Sequence, residues 1–264
     1  MFYSVIVRFR PRKDIYFKYH PSESLHGMLF HMIKERDEEE VEVLHDGYDS
    51  KPFTISPIIP YPSWKHGKRY LKKGDKHFFR ITFLEDNWYK LFMEYFLYYQ
   101  DRLKLRGSQI EIIEVLTNSN EDKKCNSITT KKLRENSQAR QKIKFKIHST
   151  TTFRDGDKHI VFPIPNYLFN SLYSKWEEFS SEELIVERED FNHIYVSRYE
   201  LESAMEQFSD CPIKGFRGDC EYELDANLSE DKIKDINLLA DFAFYSGVGY
   251  KTTMGLGQVA RLNK

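Results

Sequence analysis

The order of apolar periodicities predicts an α+β protein of two tandem ferredoxin-like (βαββαβ, RRM-like) domains. Three observations carry this expectation. Alternating and helical patterns follow one another as strand, helix, strand, strand, helix, strand over the first 116 residues. A similar order returns after residue 142. A polar, charged stretch poor in large apolar groups separates the two. The 264 residues suffice for two small domains, and a hydrophobic content of 40% can supply their cores.

Tyr3 to Arg10 alternates and reads as a strand. Ser22 or Ser24 is placed to cap a helix running to Arg36, whose Leu25, Met28, Leu29, Met32 and Ile33 form an apolar stripe at helical spacing. Phe53 to Ile59 reads as extended and ends in a proline-rich turn. Lys76 to Leu84 is a strand. Asn87 is expected to cap a long aromatic helix to Leu103, with Trp88, Leu91, Phe92, Phe96 and Tyr99 inward. Ser108 to Leu116 closes the first unit. The boundaries expected from this pattern are 1–120 for the N-terminal domain, 121–141 for a basic polar linker with room for a short helix, and 142–264 for the C-terminal domain. In the latter, strands are expected at Ile143 to Phe153 and Ile160 to Phe162, with a helix capped by Asn166 through Leu168, Leu172 and Trp176. A long hairpin, Ile194 to Phe208 and Ile213 to Leu224, should turn at Ser209-Asp210-Cys211-Pro212. Ser229 caps a helix to Tyr245, and a glycine-rich loop leads to a last strand.

Composition excludes several classes. No apolar run approaches the ~18–20 residues that cross a bilayer, and the first residues read as a strand rather than a signal peptide. Cys125, Cys211 and Cys220 show no C-x-x-C pairing and no zinc-ligand spacing, which points to a reduced, cytoplasmic setting. Net charge is −1, yet the charges are segregated. Lys65, Lys68, Arg69, Lys72, Lys73, Lys76 and Arg80 face a single acid, Asp75. Lys131, Lys132, Arg134, Arg140, Lys142, Lys144 and Lys146 form a second basic block. Acids gather at Asp37 to Glu42 and Glu177 to Asp190. Such polarity suits steering of a polyanion, and equally suits solvated loops.

Four of the twelve glycines lie between Ser246 and Val259. Glycine permits positive φ and close backbone approach, and a loop with Lys251, Thr252 and Thr253 among Gly247, Gly249, Gly255 and Gly257 is suited to cradling phosphate. The spacing is not that of a P-loop. The order G-V-G-Y-K-T-T-M-G-L-G closely resembles the C-terminal glycine-rich motif of the RAMP superfamily of CRISPR-associated RNA-binding proteins, and within it the endoribonuclease that processes precursor CRISPR RNA. Leu44-His45-Asp46 followed by Lys51-Pro52-Phe53-Thr54-Ile55-Ser56-Pro57, and Lys214-Gly215-Phe216-Arg217-Gly218, match in family order. The resemblance therefore spans nearly the whole chain. It implies tandem ferredoxin-like domains, a CRISPR repeat RNA as partner and no cofactor. Other CRISPR effector subunits and a second copy of the chain are further candidate partners.

Cleavage of RNA by its own 2′-hydroxyl needs a base, an acid for the leaving 5′-oxygen, and a cation for the phosphate charge. Histidine and lysine supply these without a metal. His45 and Lys51 flank the short loop Asp46-Gly47-Tyr48-Asp49-Ser50, and the resemblance implies a histidine and a downstream lysine at comparable positions. Several relatives carry a tyrosine where Phe30 and His31 stand here, so His31 or Tyr48 is left to supply that function. His45 as a helix-terminal residue and Lys51 as a surface charge is the alternative. Lys214 and Arg217, around Gly215-Phe216, are candidate readers of an RNA stem, or part of a sheet edge with a bulge at Gly215. Most aromatic residues sit at core spacing. Trp64 and Tyr70, within the first basic block, do not. The resulting expectation is a metal-independent endoribonuclease that leaves 2′,3′-cyclic phosphate and 5′-hydroxyl ends. The rivals are a non-catalytic RAMP-type subunit holding guide RNA and a nucleotide-binding or metabolic protein on the same fold.

Overall fold

The computed structural model describes residues 1–36 and 50–262. By contacts, the chain divides into a first unit of residues 1–127 with 207–210 and 253–255, and a second unit of the remaining residues from 128.

In the first unit, β1 (Phe2–Pro11) is followed by β2 (Ile15–Phe17), α1 (Pro21–Arg36), β3 (Phe53–Ile55), β4 (Ser63–Lys65), β5 (Lys68–Leu71) and β6 (His77–Phe83). Then come α2 (Asp86–Tyr98), β7 (Lys104–Leu105), β8 (Ser108–Leu116) and β9 (Asn126–Ile128). The main sheet runs β3-β6-β1-β8-β7, with β9 paired to β1. Its antiparallel β3-β6-β1-β8 portion is the ferredoxin-like order, because β1 lies between β6 and β8.

Alternation along β1 decides which side is core. Val5, Val7 and Phe9 meet the stripe of α1 (Leu25, Met28, Leu29, Met32, Ile33) and Trp88, Phe92, Tyr95 and Phe96 of α2. Ile6 points the other way, against Leu116 and Cys125. All these side chains are buried, each worth roughly 1.5–3 kcal/mol for the larger apolar ones.

Four expectations need correction here. Helix α1 begins at Pro21, so Ser22 and Ser24 lie inside it rather than at its cap. Strand β3 stops at Ile55, and Ile59 makes only an isolated bridge to Phe78; Pro57 and Pro60 have no N–H for a ladder. Asn87 does not cap α2. The cap position is Glu85, and the carboxylate of Asp86 accepts from the Met1 ammonium at 2.9 Å and the Tyr3 hydroxyl at 3.2 Å. That helix ends at Tyr98, and a short 3₁₀ turn, Gln100–Arg102, redirects the chain before Leu103. The small sheet β2-β5-β4 was not expected, since its strands are three or four residues long.

In the second unit, α3 (Thr130–Asn136) is capped by Thr129, whose hydroxyl accepts from the Lys132 N–H. Strands β10 (Lys142–Thr151), β11 (Phe153–Asp155) and β12 (Lys158–Ile160) precede α4 (Pro165–Phe179). β13 (Ile194–Gln207), β14 (Pro212–Leu224), α5 (Glu230–Ser246) and β15 (Val259–Leu262) complete it. The sheet order β13-β14-β10-β15 is again ferredoxin-like. Phe145, Phe169 and Tyr222 form an edge-on cluster, and Trp176 packs edge-on against Phe242 at 5.2 Å. Ser229 caps α5 as its position predicts. Asn166 does not cap α4: Pro165 occupies its first turn and Ile164 the cap position, an arrangement proline favours because that N–H has no helical partner. The strand expected at Ile160 to Phe162 lies earlier, as the β11–β12 hairpin.

Candidate nucleic-acid interface and active site

Helix α1 carries its stripe inward and so turns His31 outward. The His31 side chain is 58% exposed, and its Nε2 lies 3.5 Å from Oε1 of Glu35, one helical turn on. The second oxygen of Glu35 accepts from the Tyr95 hydroxyl at 2.7 Å. Tyr95 is itself buried among core residues, and burial together with Glu35 pushes its phenol well above the ordinary range. The result is a chain from a rigid core hydroxyl through a carboxylate to an exposed imidazole. Sequence reasoning missed Glu35 and Tyr95. The i, i+4 spacing of His31 and Glu35 was a readable signal for the first; nothing local signalled the second. His26 lies on the packed side of α1, with ring centroids 4.5 Å from Phe30 and 6.1 Å from Phe53.

Lys51 is half-buried and stands two residues before β3. His45 and Tyr48 lie outside the described residues, as does the acidic segment at Asp37 to Glu42. A further histidine, His20, went unremarked in the sequence. It stacks on Phe208 at 4.9 Å and its Nδ1 accepts from the Ser22 N–H at 3.3 Å. Burial and the charge of Arg69 hold its imidazole down to about 3, so it is neutral near pH 7.

The glycine-rich segment is shaped by contacts with the chain itself. α5 ends at Ser246, and Gly247 takes φ 59° to cap it, its N–H donating to Ala243 O at 3.0 Å. The Lys175 ammonium of α4 is buried and donates to Ser246 O at 2.9 Å and Gly247 O at 3.4 Å. It thereby meets the carbonyl end of the helix, where a cation is favoured. Desolvation nonetheless lowers its pKa to about 8. The N–H groups of Val248, Gly249, Tyr250 and Gly257 donate to Gly257 O, Ser171 Oγ, Thr152 O and Thr150 O, and that of Gln258 to Ser149 Oγ.

Gly249, Gly255 and Gly257 have φ of 76°, 89° and 68°. A Cβ on each would press into Thr152 O, Ser22 Oγ and Val248 O respectively. Their glycine identity is thus demanded by this chain's own packing. Thr252 is buried, while Lys251 and Thr253 are half-exposed. Lys251 has positive φ (53°) and its ammonium lies 5.7 Å from the Tyr250 ring. An open cleft of about 490 Å³ borders this turn, with Arg154, Tyr167, Asn170, Gly249 and Tyr250 in its wall.

On the hairpin, Lys214 is exposed and Arg217 pairs with Glu202. Gly215 is buried, and a Cβ there would strike Thr151 O. The β10–β14 register shifts between Ile147 and Thr151 at this point. The second basic block is largely engaged in ion pairs: Arg134 with Asp235 at 2.8 Å, Lys142 with Glu223 at 3.6 Å, and Lys146 with Asp219 at 2.7 Å. In the first block, Arg80 is buried, while Lys65, Lys68, Lys72, Lys73 and Lys76 are exposed.

Two ferredoxin-like units with a glycine-rich turn before the last strand are the architecture of the RAMP class of CRISPR-associated proteins. Residues 1–135 match the model of the CRISPR Cas6 N-terminal domain, and residues 145–259 that of the CRISPR-associated endoribonuclease Cas6. The chain belongs to the Cas6 family. No curated protein sequence matches it. Among solved structures, a Cas6 product complex aligns with a TM-score of 0.84 and 24% identity, covering 99% of this chain and 100% of that one. Thermus thermophilus Cas6 aligns with a TM-score of 0.75 and 22% identity, over 99% and 98% of the two chains. A Cas6 substrate mimic complex aligns with a TM-score of 0.72 and 19% identity, over 98% of each.

Proposed function

We propose that this protein cuts the repeat sequence of precursor CRISPR RNA by metal-independent attack of a ribose 2′-hydroxyl on the adjacent phosphorus. The products are a 2′,3′-cyclic phosphate and a 5′-hydroxyl. The observation that carries this reading is the match of both halves of the chain to Cas6 domain models. Solved relatives that align end to end are described as product and substrate-mimic complexes, which supports an RNA partner.

The chemistry is assigned to residues of the N-terminal half. His45 and His31 divide the base and acid steps, with Glu35 orienting the His31 ring, and Tyr48 is the alternative to His31 in that role. Lys51 stabilises the charge that builds on the non-bridging oxygens. Lys251 and Thr253, flanking the buried Thr252 on the frame set by Gly247, Gly249, Gly255 and Gly257, contact the RNA backbone, and Lys214 and Arg217 approach its stem. The test is incubation of purified protein with a panel of repeat RNAs in EDTA, followed by mapping of the cut ends. Cleavage at one position with cyclic-phosphate and 5′-hydroxyl termini is expected. Binding without cleavage of every repeat would favour a guide-holding subunit, and 5′-phosphate ends would exclude the 2′-hydroxyl route.

A further inference from the structure

We propose that the small sheet β2-β5-β4 is a docking surface for single-stranded RNA, with a base stacked on Trp64 and phosphates held by Lys65 and Lys68. The inference rests on the RNA-processing reading above and adds to it a surface made of other residues. Strands β4 and β5 form a hairpin in which Ser63 faces Tyr70, Trp64 faces Arg69 and Lys65 faces Lys68. His66 and Gly67 make its two-residue turn, both with positive φ (51° and 71°), the geometry of a tight, twist-matched hairpin.

Trp64 stands at 65% exposure, whereas Trp88 and Trp176 are 4% and 1% exposed. A large indole left in water on a rigid strand has no part in the core. It is also held in place: the Arg69 guanidinium lies 4.7 Å from its ring and 4.2 Å from that of Tyr61, a cation between two aromatic faces. Alternation puts Tyr70, Lys65 and Lys68 on the opposite face. There Tyr16 of β2 stacks on Tyr70 at 5.7 Å and 20°, and the Lys65 ammonium lies 5.2 Å from the Tyr70 ring. A nucleic-acid strand crossing the hairpin tip therefore meets a stacking ring on one side and ammonium groups on the other.

Charge chooses the partner. From Tyr61 to Lys76 the sequence holds five lysines and Arg69 against one acid, Asp75, and all five lysines are exposed. A polyanion fits this surface, and the aromatic platform requires it to be one with unpaired bases, since a duplex has its base faces already stacked. Sequence-tolerant stacking on an aromatic ring beside a basic track is how single strands are bound without base readout.

Trp64 is the exposed tryptophan of the three, so its emission reports directly on stacking. The experiment titrates a 12-nucleotide oligouridylate, unrelated to any repeat, into the wild-type protein at several salt concentrations. Quenching of tryptophan emission is expected, and a blunt RNA duplex should leave the emission unchanged. Trp64→Ala should weaken oligouridylate binding about tenfold, the size of one base–aromatic stack, and Trp64→Phe by less. The double variant Lys65→Ala/Lys68→Ala should flatten the log–log salt dependence by up to about 1.4, at ~0.7 per phosphate contact. Melting temperatures near wild type identify variants that have kept the fold, and the wild-type quenching experiment needs no variant. Unchanged emission at saturating oligouridylate, wild-type affinity in the variants, or equal quenching by the duplex would overturn the proposal. Intact repeat cleavage with no quenching would sink this surface alone; quenching without repeat cleavage would leave it standing and sink the catalytic reading.

Discussion

At the scale of single residues, what surrounds each ionisable group decides what it can do. His31 stands in solvent with the Glu35 carboxylate behind its ring, the arrangement proposed above for proton transfer. His31→Ala should slow single-turnover cleavage by about 10²–10⁴-fold with little change in RNA affinity. Glu35→Gln should slow it less and Glu35→Asp should recover part of the loss. A His31→Ala rate equal to wild type at saturating protein would remove this residue from the chemistry. Lys175 presents the opposite case, a buried ammonium with pKa about 8 against an ordinary value near 10.5. Between these values the unfolded chain binds more protons than the folded one, so this group makes stability rise as pH increases through that window. Below pH 8 its charge is a cost. The difference in unfolding free energy between wild type and Lys175→Met should therefore grow in favour of wild type, on the order of 3 kcal/mol, from pH 8 to 10.5. Urea unfolding at half-unit pH steps checks this, and a pH-independent difference would mean that Lys175 does not deprotonate in the fold.

At the scale of elements, the glycine-rich turn separates two demands that sequence alone leaves merged. The glycines need positive φ and leave no room for a Cβ, whereas Lys251 is half-exposed at the same turn. Gly257→Ala should destabilise the protein without RNA by about 2 kcal/mol or more, because strain and overlap with the Val248 carbonyl add. Lys251→Ala should leave the melting temperature nearly unchanged, weaken repeat binding, and lower the salt dependence by at most about one unit. Thermal unfolding beside an affinity series in salt reads both. Normal affinity of Lys251→Ala at every salt concentration would make the turn a packing device only. Legibility followed the same division. The long elements announced themselves: the stripe of α1, the alternation of β1 and the Ser229 cap are local signals, and local interactions form them. The caps at Asn87 and Asn166 failed because neighbours captured those helix starts, Asp86 through the Met1 ammonium and Pro165 through its fixed φ. Strands β2, β4 and β5 are too short to carry a period, and only their pairing reveals them.

At the scale of the whole molecule, two units of the same topology carry different loads. In the first, α1 and the segment toward β3 hold the candidate proton-transfer groups. In the second, the ends of α4 and α5 meet at Lys175 and brace the turn that precedes β15. The basic blocks look alike in sequence, yet the second is mostly paired with acids, while the lysines of the first stand in solvent near Trp64. Ion pairing depends on residues distant in the chain, such as Asp235 and Asp219, and composition does not display it. The fold and the family were thus legible from order and motif. Glu35, Tyr95 and the exposed ribbon required three-dimensional neighbours.

In the proposed reaction the RNA itself supplies the nucleophile. The most direct measurement places a single 2′-deoxy nucleotide immediately 5′ of the mapped cut, in an otherwise unchanged repeat RNA, and follows binding and cleavage in EDTA. This RNA is expected to bind as the all-ribose repeat does and to remain uncut. Cleavage at the ordinary rate would contradict the proposed reaction, because the nucleophile would then have to come from outside the substrate.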